Sequence, residues 1–138
     1  MDKNIYLDHN ATSPLLPEAQ TAMSDAAEKS FGNPSSPHWA GREAKILLEE
    51  ARVSLAKSLG AEPREIIFTS GGSESNNAVL RQLSAASGKQ HLITSKIEHP
   101  SVLETCRILA KQPDISITEL PVDSSGLIDP ESLIKGIR

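Results

Sequence analysis

The stretch FTSGGSESNN, residues 68–77, decides how the chain is read. Ser70, Gly71, Gly72 and Ser73 separate an apolar run, Glu65-Ile66-Ile67-Phe68, from a segment of helical pattern that starts near Glu74. A strand that stops at glycines and restarts as a helix gathers free backbone N–H groups and hydroxyls in one small space, which suits an anion. The pattern is not a P-loop, because no lysine follows the glycines before Lys89. It is not a dinucleotide fingerprint either, because Gly71-Gly72 runs into Ser73-Glu74-Ser75. A hydrolase elbow, Gly-x-Ser-x-Gly, fits Gly71-Gly72-Ser73-Glu74 but meets Ser75 in place of its last glycine. Two readings stay open: a cup for a single phosphate group, and a plain tight turn with Ser73 as its cap. Ser73 as a nucleophile with His99 as base is a weaker third.

Outward from this turn, helix and strand patterns alternate. Toward the N-terminus, Ala19, Ala22, Met23, Ala26 and Ala27 recur at helical spacing over 17–30, with Pro17 in the first turn. Ala44, Leu47, Leu48, Ala51, Leu55, Ala56 and Leu59 mark a longer amphipathic helix over 39–59 that stops at Gly60. Between them, FGNPSSPHWAG is a turn-rich loop, long for a connector. Toward the C-terminus the pattern predicts strand 65–70, helix 74–87, strand 91–95, helix 100–112, strand 115–121, a turn at Asp123–Gly126 and a helix start at Asp129-Pro130-Glu131. Such alternation implies an α/β fold with parallel strands joined by right-handed crossovers. Three strands make a narrow sheet with two bare edges, so the sequence reads as cut rather than finished, and the chain is expected to fold marginally alone.

Composition narrows the partners. The 138 residues suffice for one core, and an aromatic share of 3% makes that core aliphatic. A net charge of -4 gives no general attraction to nucleic acid or anionic lipid, so neither is expected as a partner. No apolar run has the length of a signal sequence or membrane span, and the single Cys106 forms no internal disulfide; both point to the cytoplasm. Cys106 shares helical spacing with Val102, Leu103 and Leu109 and is expected to face the core. His9, His38, His91 and Cys106 have no metal-ligand spacing, so no metal is expected.

TSKIEHPSV, residues 94–102, sets His99 between a strand end and the next helix. Ligands of open parallel sheets bind at this edge, so His99 and the Gly72-Ser73 turn are expected on one rim. A histidine that merely caps helix 100–112 is the bland alternative. Together, a phosphate turn and a ring-sized planar side chain suggest a phosphorylated aromatic cofactor.

Four ordered blocks now carry a resemblance: YLDHNAT (6–12), FGNPSSPHWAGREA (31–44), IIFTSGGSESNN (66–77) and TSKIEHPSVLETCR (94–107). In order and spacing they closely resemble the cysteine desulfurases, in the class V branch of the pyridoxal-phosphate-dependent transferases. The resemblance implies that residues 1–138 are the N-terminal part of the large domain of a fold-type I enzyme, an open, mostly parallel sheet with flanking helices, truncated here. Residues 1–16 are then expected to pack with a small domain outside the chain. Gly72 and Ser73 match the pair that holds the cofactor phosphate, with serine where many relatives carry threonine. His99 matches the histidine that stacks on the pyridine ring and is implicated in proton transfer. Asn10 and Asn33 fall in segments that line the substrate side.

The implied parent reaction converts L-cysteine to L-alanine and leaves a persulfide on an enzyme cysteine, for delivery to acceptors such as iron–sulfur scaffold proteins. Relatives are usually homodimers, and the 31–41 loop suits such a boundary. The Schiff-base lysine, the aspartate on the pyridine nitrogen and the persulfide cysteine of such enzymes all match positions beyond 138, so the chain alone is expected to be inactive. Lys96, although near His99, does not match the Schiff-base lysine and is expected at the surface. A selenocysteine lyase, another class V relative, or a non-catalytic binding module built on the same fold are the alternatives.

Overall fold

A computed structural model describes residues 4–138. Their contacts divide into two units, Met1–Ile67 and Phe68–Arg138. The first three residues of the 1–16 segment lie outside the described residues.

The first unit is helical. α1 spans Pro17–Lys29 and α2 spans Trp39–Leu59, close to the ranges expected from periodicity. α2 buries a stripe of small residues, Ala40, Gly41, Ala44 and Ala56, and the 30–38 loop is drawn tightly against its first turn. Gly41 is what permits this approach: a Cβ there would stand 2.3 Å from the Ser36 carbonyl oxygen and 2.6 Å from that of Asn33. His38 caps α2, its Nδ1 accepting from the Gly41 N–H at 3.4 Å. At the other end Gly60 adopts φ 67°, the left-handed conformation that glycine enters without a Cβ penalty, and its N–H reaches the carbonyls of Ala56 and Lys57. Arg52 of α2 donates to the carbonyl of Ile66, holding the end of the unit.

The second unit holds the sheet. β1 (Gln90–Ser95) and β2 (Ile115–Leu120) pair in parallel, with Leu92 opposite Ile117 and Ser95 opposite Leu120. α4 (Pro100–Leu109) joins them, and its buried face, Thr105, Cys106 and Leu109, forms the core with Ile115 and Leu120. Cys106 is fully buried, as its spacing implies; loss of solvation, with the charges of Glu119 and Glu98 adding to it, pushes the thiol up from its ordinary value. α3 (Gly72–Leu80) packs on α4, and α5 (Pro130–Gly136) lies against β2. Asp129 caps α5 by accepting from the N–H groups of Glu131 and Ser132. Asp123 shapes the preceding turn by accepting from Ser125 and Leu127.

Several boundaries differ from expectation. The expected strand 65–70 is not in a ladder: Glu65 closes a 3-10 turn, Pro63–Glu65, Ile66 is extended at φ −91°, ψ 122°, Ser70 is in a bend, and the sheet has two strands among the described residues, not three. A strand exists only through its neighbour's hydrogen bonds, which local sequence does not supply. α3 begins two residues early, at Gly72, and after Leu80 tightens into a 3-10 stretch, Arg81–Ala85, a common way for a helix to end. α4 ends three residues short of 112, because Pro113 disfavours helical geometry at Gln112 and the last N–H groups turn to i−3 carbonyls. β2 stops before Pro121, which has no N–H to donate. Among the described residues no helix is long and apolar enough to cross a membrane.

Candidate functional site

The turn before α3 is built by its own hydroxyls. Thr69 Oγ1 donates to the Gly71 carbonyl at 3.2 Å and shares a hydrogen with Ser75 Oγ at 2.8 Å. The first regular bond of the helix runs from the Ser75 N–H to the Gly71 carbonyl at 3.1 Å. The N–H groups of Gly72, Ser73 and Glu74 lie ahead of it and, among the described residues, have no protein acceptor. Among the described residues Ser73 Oγ has no protein partner either, and a Cβ on Gly72 would meet nothing within 4 Å. Three backbone donors, one hydroxyl and open space together fit a single phosphate group.

The one carboxylate in the turn is already engaged. Glu74 accepts from both the N–H and the Oγ–H of Ser70, each at 2.6 Å, and these bonds hold its carboxyl below the usual range.

His99 enters from the other side. After β1, Ser95 Oγ donates to Glu98 at 3.0 Å and the Lys96 N–H returns to the Leu120 carbonyl at 3.0 Å, which fixes the turn that carries it. His99 is the N-cap of α4: the Ser101 N–H donates to its Nδ1 at 3.1 Å, and Ser101 Oγ lies 2.8 Å from the same nitrogen. The bland alternative is therefore real, but it occupies only one ring nitrogen. Because a backbone N–H can only donate, Nδ1 is an acceptor, and the neutral imidazole carries its hydrogen on Nε2.

These elements meet. Gly72, Ser73, Asn76, His99 and Ser101 line one open cleft of about 260 Å³. Asn76 and Ser101 were not among the residues that the sequence singled out. Their signal was faint: Ser75-Asn76-Asn77 is a polar run inside a helix, where such residues usually need a special partner. Here they have one. Asn76 Nδ2 donates to Ser101 Oγ at 2.9 Å, and Thr105 Oγ1 donates to Asn77 Oδ1 at 3.0 Å, so α3 and α4 are joined by side-chain bonds.

Asn10 and Asn33 belong to the first unit. Asn10 lies in the turn where the N–H groups of Ala11 and Thr12 return to the Asp8 carbonyl. Asn33 Oδ1 accepts from the Ser35 N–H at 2.9 Å, which gives it a loop-building role. The hydrolase reading gains nothing: among the described residues no hydrogen bond joins Ser73 to His99. Lys96 is exposed.

The model of the aminotransferase class-V family matches residues 5–138. A cysteine desulfurase IscS from Dictyoglomus turgidum is 49% identical over 141 residues, covering 100% of this chain and 35% of that protein. A human selenocysteine lyase is 38% identical over 157 residues, covering 99% of this chain and 35% of its own length. Among solved structures, SspA in complex with cysteine superposes with a TM-score of 0.82 at 38% identity, covering 96% of this chain and 39% of that one. The chain thus spans about a third of the length of the curated relatives it matches.

Proposed function

The chain belongs to the aminotransferase class-V family, and from that premise we propose that it forms the phosphate cup and ring-facing wall of a pyridoxal-phosphate-dependent cysteine desulfurase. Its α/β fold is that of the start of the large domain of a fold-type I enzyme. The observation that carries the proposal is the convergence of Gly72, Ser73 and His99 on one cleft. The identity of 49% to a desulfurase, against 38% to a selenocysteine lyase, favours L-cysteine as substrate, with L-selenocysteine as the second reading.

Pyridoxal phosphate, when bound, supplies a conjugated ring able to take up an electron pair released at a substrate carbon. This chain's residues do the holding. The N–H groups of Gly72, Ser73 and Glu74, with Ser73 Oγ, bind the phosphate dianion at the positive end of α3. His99 lines the cleft and is held at Nδ1 by α4, so a proton moved by this residue passes through Nε2, the ring nitrogen left over. Asn10 and Asn33 are proposed for the substrate side, and residues 1–16 for contact with a small domain. The full enzyme is proposed as a cytoplasmic homodimer that passes sulfur to an acceptor protein, while the 138-residue chain alone releases neither sulfide nor alanine from L-cysteine.

The cup is tested with the chain itself. Pyridoxal phosphate should shift the amide resonances of Gly72, Ser73 and Glu74, pyridoxal without the phosphate should not, and Ser73→Asp should weaken the effect about tenfold or more through like-charge repulsion. Equal shifts from pyridoxal and pyridoxal phosphate would remove the phosphate role.

A further inference from the structure

We propose that Asn76 and Ser101 are positioning residues that hold the His99 ring in a single tautomer and a single angle. The inference rests, for its functional meaning, on the reading that His99 faces the cofactor.

The direction of each hydrogen bond is set by chemistry. The Asn76 amide donates from Nδ2 to Ser101 Oγ at 2.9 Å. With that lone pair used, the single hydroxyl hydrogen of Ser101 is free to point at His99 Nδ1, 2.8 Å away. The Ser101 N–H, at 3.1 Å, reaches the same nitrogen. Two donors from one residue therefore converge on Nδ1, and the second is oriented from a different helix. A backbone cap alone leaves an imidazole free to tilt about one contact. The added hydroxyl, itself fixed by Asn76, ties the ring plane to α3, the helix that carries Gly72 and Ser73. The phosphate cup and the ring thus share one frame, and their spacing is set by side chains.

The tautomer is directly measurable. In the chain labelled with nitrogen-15 histidine and kept dilute enough that light scattering reports a monomer, long-range proton–nitrogen spectra at pH 9 report which ring nitrogen carries hydrogen, with His99→Gln identifying the His99 signals. The wild type should show the Nε2–H form. Ser101→Ala should raise the minor Nδ1–H form roughly fivefold, the effect of one lost hydrogen bond. Ser101→Thr, which restores a hydroxyl, should return it to the wild-type level. Asn76→Asp keeps the shape but only accepts, so it turns the Ser101 hydroxyl away from His99 and should act like Ser101→Ala. This second variant keeps the test decisive if Ser101→Ala does not fold.

Unchanged His99 nitrogen shifts in a folded Ser101→Ala or Asn76→Asp chain would overturn the proposal. Titration with pyridoxal phosphate separates it from the reading it rests on. If the cofactor leaves the His99 ring signals unmoved while Ser101→Ala alters the tautomer, the positioning holds and the cofactor role fails. If the cofactor moves them and the variants do not alter the tautomer, the reverse is true.

Discussion

One imidazole serves two purposes, and substitution can separate them. His99→Ala removes both the cap of α4 and the ring at the cleft, and should cost about 1 kcal/mol of stability in urea denaturation. His99→Asn keeps a capping side chain and should restore most of that stability while leaving the ring absent. Glu74 gives a pH test at the neighbouring turn. Its folded-state pKa is depressed by Ser70, so its contribution is present above the ordinary glutamate value and is lost as pH falls through the folded value. The Ser70 amide should titrate with a midpoint below the ordinary glutamate value, and Glu74→Gln should abolish that titration. Cys106 should resist alkylation in the folded chain, reacting on the order of a hundredfold faster in urea, followed by mass spectrometry. The burial of Cys106 was legible from spacing alone. The bond from Asn76 to Ser101 was not, because the two stand 25 residues apart and nothing local pairs them.

At the scale of elements, the glycines of α2 divide by mechanism. An added Cβ at Gly60 meets nothing within 4 Å, so Gly60→Ala should cost only the left-handed backbone penalty, about 1 kcal/mol. At Gly41 the same atom runs into backbone oxygens that have no rotamer to yield, and Gly41→Ala should cost roughly 3 kcal/mol. Urea melts of the two variants compare them directly. Helices were readable because their information is local: period, cap and stop all lie within the segment, as in Pro17–Lys29 and Trp39–Leu59. The ends at Gln112 and Leu120 follow from Pro113 and Pro121, whose effects were in the sequence but easily passed over. The stretch 66–69 shows the opposite case. Its residues suit a strand, yet being one depends on a neighbour that no residue in the stretch specifies.

For the whole molecule, the decisive quantity is how little apolar surface is covered. Among the described residues the buried apolar side chains are Ala40, Ala44, Ala56, Cys106, Leu109, Ile115 and Leu120, three of them alanines. Ile5 is 83% exposed, Ile67 81% and Val79 71%. At about 25 cal/mol per Å², such a core leaves a thin margin over the entropy of ordering the chain. The isolated chain should therefore bind a hydrophobic dye and show an apparent mass that rises with concentration in light scattering; a dye-silent monomer with a sharp melt would contradict this. The family blocks were fully legible in the sequence, whereas the uncovered surface was visible only once side chains had positions. In a cell, the same surface acts as a timer. Chaperones and proteases both recognise exposed Ile, Val and Leu, so these side chains stay vulnerable for as long as no further protein surface shields them.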